Sequence, residues 1–216
     1  MKSFLVIGLG RFGTALAQEL CVQGHEVLAM DLREERTQAV ADRVTRAVTA
    51  DARDPEVLRA LGARNFDCAV VAFSADVGDS ALITLNLKEL GVPRVVSKAN
   101  SAVHRKVLEK IGADQVVFPE QEMALRLARN LSNVDILNFI ELSEDYSIVE
   151  RRCPGQWAGD TLRGLDIRAK YRLNVMAVRQ KGQEMRIAPG GDYVLQPEDC
   201  LVVLGANRDI ERMESL

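Results

Sequence analysis

The sequence predicts an α/β protein in which a doubly wound parallel sheet is followed by a small α+β lobe. Three observations carry this reading. Over residues 1–130 short apolar runs alternate with amphipathic stretches, and glycines recur just after those stretches. From about residue 138 the texture changes to short β-type runs, broken at Pro154-Gly155, Lys181-Gly182 and Pro189-Gly190-Gly191. Continuous apolar runs of strand length are what strands covered on both faces look like, and helices between them make those strands parallel.

Taken in order, the predicted strands are 4–7, 26–30, 46–49, 68–72, 94–97 and 115–118, with helices over 11–22, 33–43, 55–62, 77–90 and 101–111. Gly24, Gly62, Gly91 and Gly112 each fall where a helix closes on a left-handed residue. Asp54 followed by Pro55 reads as an N-cap and the first helical position. This rhythm suggests a Rossmann-type sheet. A further helix from Glu120 to about residue 137, with a break near Ser132 and Asn133, carries an apolar stripe of Met123, Leu127, Leu131 and Val134. That stripe either caps the last strand or meets another domain or subunit. Beyond it, 139–142, 146–149, 174–178, 185–187 and 200–204 are β-type, and only 161–165 and 208–216 read as helical. The domains are therefore placed at 1–136 and 137–216.

The 216 residues are 47% hydrophobic and 27% charged, with a net charge of −3. That composition excludes disordered and fibrous classes, and the balance of charge gives no basic field for nucleic acid. The apolar runs are far too short to span a bilayer. Because the first strand starts almost at Met1, no signal peptide is expected, and the compartment expected is the cytoplasm. Cys21, Cys68, Cys153 and Cys200 are scattered with no metal-ligand spacing and read as core residues.

The sharpest motif is Gly8-x-Gly10-x-x-Gly13, set between an apolar strand and an Ala-rich helix. Gly8 allows the tight turn, Gly10 lets backbone approach a pyrophosphate, and Gly13 lets the helix pack on the strand. Phosphate would lie at the N-terminus of the first helix, where free N–H groups and the helix dipole favour an anion. The second strand ends in Asp31, placed to hold ribose hydroxyls and to repel a 2′-phosphate, which argues against NADP. Asp51, after the third strand, sits near the adenine end of such a ligand or caps the next helix, for which Asp54 is the better cap. Ala72 and Ser74 follow the fourth strand on the same sheet edge.

Catalytic groups are scarce. A hydride-transfer enzyme needs an acid or base beside the nicotinamide. Yet His25 lies in a turn away from the carboxyl edge, and His104 reads as a surface helix residue. Nucleotide binding without chemistry points to a sensor. A small NAD-dependent dehydrogenase is the alternative, with its acid or base around residues 74–76. A redox-sensing transcription factor ranks last for want of a DNA reader.

The loop from Gly8 through Arg11 and Phe12 to Gly13, Asp31, the phrase Val107-Leu-Glu-Lys-Ile-Gly-Ala-Asp114 and Phe118-Pro119-Glu120 resemble the RCK (regulator of potassium conductance) family. Asp145-Tyr-Ser-Ile-Val-Glu150 and Ile167-Arg-Ala-Lys-Tyr171 extend the likeness along the whole chain, closest to the KtrA-like members of Ktr and Trk potassium uptake systems. The resemblance implies a cytosolic gating subunit, assembled from dimers into an octameric ring beneath a separate, KtrB-like potassium-translocating membrane subunit. It implies ATP or ADP in the crevice, with NAD(H) the alternative. Gly8, Gly10, Phe12, Gly13, Ala72 and Ser74 would line the ligand, Asp31 would hold the ribose, Asp51 would lie near the base, and Arg11 would reach a γ-phosphate. The resemblance also makes Glu120 a ligand for Mg²⁺, Ca²⁺ or Na⁺ at the dimer interface. Cyclic di-AMP is implied in the second lobe, at Arg168, Asn174 and Pro189.

Overall fold

The computed structural model describes residues 1–73, 76–132, 136–143, 145–180 and 182–214. Contacts divide the chain into two compact units, Met1–Gln121 and Glu122–Leu216.

In the first unit, strands β1 (Ser3–Ile7), β2 (Glu26–Asp31), β3 (Arg46–Thr49), β4 (Cys68–Val71), β5 (Val95–Lys98) and β6 (Gln115–Val117) form one parallel sheet. Their order is β3-β2-β1-β4-β5-β6, the doubly wound arrangement of dinucleotide-binding folds. Between them run α1 (Arg11–Val22), α2 (Glu34–Gln38), α3 (Pro55–Ala60), α4 (Val77–Glu89) and α5 (Ala102–Lys110). Alternation along each strand feeds two cores. Leu5, Ile7, Leu28, Met30 and Val71 point to one face with Ile83 and Leu87 of α4, while Val6, Val27, Ala29 and Val70 point to the other with Ala17 of α1. Each fully buried Leu or Met among them is worth about 1.5–3 kcal/mol of transfer free energy.

The helix stops fall where glycine permits them: Gly24, Gly62, Gly91 and Gly112 all have φ between +72° and +96°. Asp54 caps α3 by accepting the Glu56 N–H, with Pro55 at the first helical position. The predicted 33–43 helix is instead α2 followed by a separate 3₁₀ turn at Ala41–Arg43. His104 is a correction. It is fully buried on the inner face of α5 one turn before Leu108, and its Nδ1 lies 3.2 Å from Asn100 Oδ1. Cys68, Cys153 and Cys200 are buried as expected, whereas Cys21 is half-buried.

Helix α6 (Pro119–Ser132) exposes Met123, Leu127 and Leu131. Val134 and the expected break at Asn133 lie outside the described residues. The second unit has an antiparallel sheet in the order β10-β9-β11-β8-β7, built from β7 (Ile136–Glu141), β8 (Tyr146–Arg152), β9 (Asn174–Arg179), β10 (Arg186–Ile187) and β11 (Cys200–Ala206). Its core gathers Val149, Trp157, Leu173, Leu195, Leu201, Val203 and Met213. Helices α7 (Leu162–Leu165) and α9 (Asn207–Glu214) match the two helical stretches predicted here, but α8 (Ile167–Tyr171) was not among them. Five residues are too few to show a helical period.

Candidate functional site

The sheet reverses its winding between β1 and β4, and the crevice at that switch point is where open α/β sheets bind ligands. It is a cleft of about 240 Å³ lined by Gly8, Asp31, Arg36, Asp51, Arg53, Phe73 and Asp79 among others. Gly8 turns the chain out of β1 with φ +94°, and its N–H donates to Met30 O at 2.7 Å. A Cβ at Gly8 would lie 3.0 Å from Phe73, so the turn has room for glycine alone.

The other two glycines serve different needs. Gly13 packs α1 onto the turn so closely that a Cβ there would sit 1.9 Å from the Gly8 carbonyl oxygen and 2.9 Å from Ala72 Cβ. Gly10 is the residue before α1, with ordinary φ −74° and nothing within 4 Å of where a Cβ would stand. The fold does not require glycine at position 10. A ligand approaching the free N–H groups of α1 would.

Asp31 is buried and does more than face a ribose. Its Oδ2 accepts the Leu9 N–H at 2.7 Å and its Oδ1 accepts the Arg33 N–H at 2.9 Å, while Arg36 Nη1 lies 3.2 Å from Oδ2. The carboxylate therefore ties the glycine loop to the end of β2. Asp51 is gripped by Arg53, whose Nη2 and Nε donate to its two oxygens at 2.7 and 2.9 Å and whose Nη1 reaches Asp79 at 3.4 Å. That guanidinium holds the Asp51 carboxyl below the usual carboxylate range. Arg36, Arg53 and Asp79 were not named from the sequence. Their signal was weak, since long side chains reach the crevice from positions with no motif of their own.

Of the remaining site residues, Ala72 is buried beside Gly13, Arg11 is exposed at the first position of α1, and Phe12 is half-buried behind it. Ser74 lies outside the described residues.

Residues 4–119 match the model of the TrkA-N domain, and 149–216 match that of the TrkA-C domain. The Ktr system potassium uptake protein A of Bacillus subtilis is 42% identical over 99% of this chain and 96% of its own length. Ktr system potassium uptake protein C of the same organism is 45% identical, again over 99% and 96%. The chain belongs to the KtrA-like RCK proteins. The fold agrees: the GsuK channel aligns with TM-score 0.70 at 21% identity, covering 100% of this chain and 39% of that one. The GsuK channel bound to NAD aligns with TM-score 0.66 at 19% identity and the same coverage.

The resemblance singles out two further places. Glu120, in the first turn of α6, accepts from Lys98 Nζ at 2.5 Å, and that ammonium also lies 5.9 Å from the centre of the Phe12 ring. Lys98 holds the Glu120 carboxyl below its usual range, with Arg11 adding a smaller pull. Among the described residues no three acidic, His or Cys side chains cluster as a metal site would need. Glu120 alone, already paired with a lysine, does not make a cation site from one chain. In the second unit Arg168 is exposed on α8, Asn174 opens β9 and Pro189 follows β10, so the last two lie at one end of the β9–β10 hairpin.

Proposed function

We propose that this chain is the nucleotide-sensing regulatory subunit of a Ktr-type potassium uptake system. It binds ATP or ADP in the switch-point crevice and controls a separate KtrB-like membrane subunit that moves the ion. The observation that carries this reading is Gly10: a glycine the fold does not need, with open space where its Cβ would stand, at the head of α1 and next to Leu9, whose N–H donates to the buried Asp31. The relatives named as Ktr potassium uptake proteins supply the system. That no helix among the described residues is long and apolar enough to cross a membrane fits a partner that carries the pore, with this chain on the cytoplasmic face.

Gly8, Gly10 and Gly13 shape the phosphate end, with Phe12 and Ala72 packed behind them. Asp31 takes the ribose with its remaining acceptor capacity. Asp51 lies towards the base, where a ligand must share it with Arg53. Arg11, at the head of α1, is placed for a terminal phosphate, onto which a guanidinium can fork. The acids of the crevice are engaged by arginines and N–H groups, an arrangement for binding and not for proton transfer, so we assign no catalytic residue. NAD(H) is the second reading, favoured by the NAD carried by the like-folded GsuK channel. A cation at Glu120 would need oxygens from the nucleotide or from a second copy of the chain. We further propose assembly into rings of dimers and a cyclic di-AMP site at Arg168, Asn174 and Pro189.

Calorimetric titration of the purified chain with ATP, ADP and NADH, alongside sedimentation, tests the proposal. It predicts one nucleotide per chain on an oligomer. A monomer that takes up none of the three overturns it.

A further inference from the structure

The second unit holds a cleft of about 470 Å³ between the end of α8 and one face of α9, lined by Lys170, Tyr171, Arg172, Arg208, Asp209 and Arg212 with Ala169. Four cations surround a single carboxylate in a chain whose net charge is −3. None of Arg168, Asn174 and Pro189 lines it.

Three features carry a modest cost that a bound anion would offset, modest because the Arg208 and Arg212 side chains are 71% and 78% exposed. Arg208 and Arg212 stand four residues apart on one face of α9, a like-charge spacing that destabilises a helix. Arg208 also occupies the first turn of α9, where the helix dipole disfavours a cation. Arg172 closes α8 in the left-handed region at φ +59°, a position that glycine fills with least strain and where a long cationic side chain is unusual. The buried Asp209 lies 3.6 Å from Arg212 Nη1 and 3.9 Å from Arg208 Nε, and among the described residues Lys170 and Arg172 carry no ion pair.

We infer that this cleft is a binding site for a multiply charged phosphate anion, of the pyrophosphate or tripolyphosphate type. Guanidinium groups fork onto phosphate oxygens, and a lysine adds a compact charge. The cleft falls within the usual size range of small-molecule sites. The aromatic residue lining the cleft, Tyr171, packs against Trp157, with ring centres 5.1 Å apart and planes tilted at 53°. The four cations make phosphate the group recognised. A soluble oligophosphate and a phospholipid headgroup share this chemistry. The cleft shares no lining residue with the nucleotide crevice.

The test titrates the full-length chain with sodium tripolyphosphate in a calorimeter, and in parallel sediments it with vesicles of phosphatidylcholine alone or with added phosphatidylglycerol. Because the crevice also offers a phosphate end, the titration is run in the Gly10→Asp background, and there the probe should still bind. It should bind the triple variant Arg172→Gly, Arg208→Gln, Arg212→Gln at least tenfold more weakly. Arg172→Gly alone should weaken binding while leaving the melting temperature equal or higher, because glycine relaxes the left-handed backbone; that separates lost charge from lost fold. Tripolyphosphate binding lost in the triple variant names a soluble anion, and vesicle binding lost in it names a headgroup. The inference is overturned if the triple variant binds like the unaltered chain, if Gly10→Asp alone abolishes binding, or if neither tripolyphosphate nor anionic vesicles bind.

Discussion

Two glycines of one loop should fail in opposite ways when each is given a methyl group. At Gly13 the new Cβ would stand 1.9 Å from the Gly8 carbonyl oxygen. A relaxed carbon–oxygen contact is about 3.3 Å, so α1 and the Gly8 turn must separate by about 1.4 Å. The obstacle is backbone, with Ala72 Cβ behind it at 2.9 Å, and no flexible side chain can swing aside. Overpacking of this kind costs about 1–3 kcal/mol, and a backbone collision belongs at the upper end. About 3 kcal/mol lowers the melting temperature of a chain this size by about 10 °C. At Gly10 no atom lies within 4 Å and φ is −74°, so Gly10→Ala should melt within about 2 °C of the unaltered chain. Its methyl instead occupies the approach to the α1 N–H groups, and the ATP dissociation constant should rise about tenfold or more, equivalent to about 1.4 kcal/mol. Scanning fluorimetry reads the first effect and calorimetry the second. A Gly13→Ala protein that melts like the original, or a Gly10→Ala protein that binds ATP like the original, refutes the division of labour.

Asp31→Ala should destabilise the first unit even without ligand, by about 1–3 kcal/mol, because the Leu9 N–H loses its acceptor in a buried place; an unchanged denaturation midpoint would contradict this. Burial holds the His104 pKa below its ordinary value, so below about pH 6.5 the unfolded chain binds a proton that the native chain refuses. Stability should therefore fall as pH drops below about 6.5, with a slope of at most about 1.4 kcal/mol per unit, and His104→Gln should flatten that slope; equal slopes would count against it. Burial pushes the thiols of Cys153 and Cys200 up to about 11 and raises that of Cys68. A thiol reagent at pH 8 should thus find one fast site per native chain, the half-buried Cys21, and two or more fast sites would show the burial to be wrong.

The parallel sheet was legible because its strands are short unbroken apolar runs. Glycines with positive φ punctuate them, and both signals survive without knowledge of tertiary contacts. The glycine loop and Asp31 were legible for the same local reason. His104 was misread as a surface residue because its polar side chain hides the phase of α5, which turns His104 and Leu108 inward and leaves Val103 72% exposed. Helix α8 escaped notice because its five residues lie between two non-glycine residues in left-handed conformation, Asp166 and Arg172, a boundary that sequence pattern does not announce. The partners of the site acids were hidden for another reason. Arg36 and Arg53 reach Asp31 and Asp51 through long side chains, and Lys98 meets Glu120 across 22 residues of chain. Such pairings depend on where the sheet edge gathers its loops.

The account's central claim is that nucleotide in the crevice governs potassium movement through another protein. Rubidium uptake decides it most directly, measured in cells deficient in potassium uptake that express a KtrB-like membrane subunit with the unaltered chain, with Gly10→Asp, or with neither. The unaltered chain should change the uptake rate, and Gly10→Asp should lose the response to cellular ATP while remaining folded. Uptake identical in all three strains would contradict the claim.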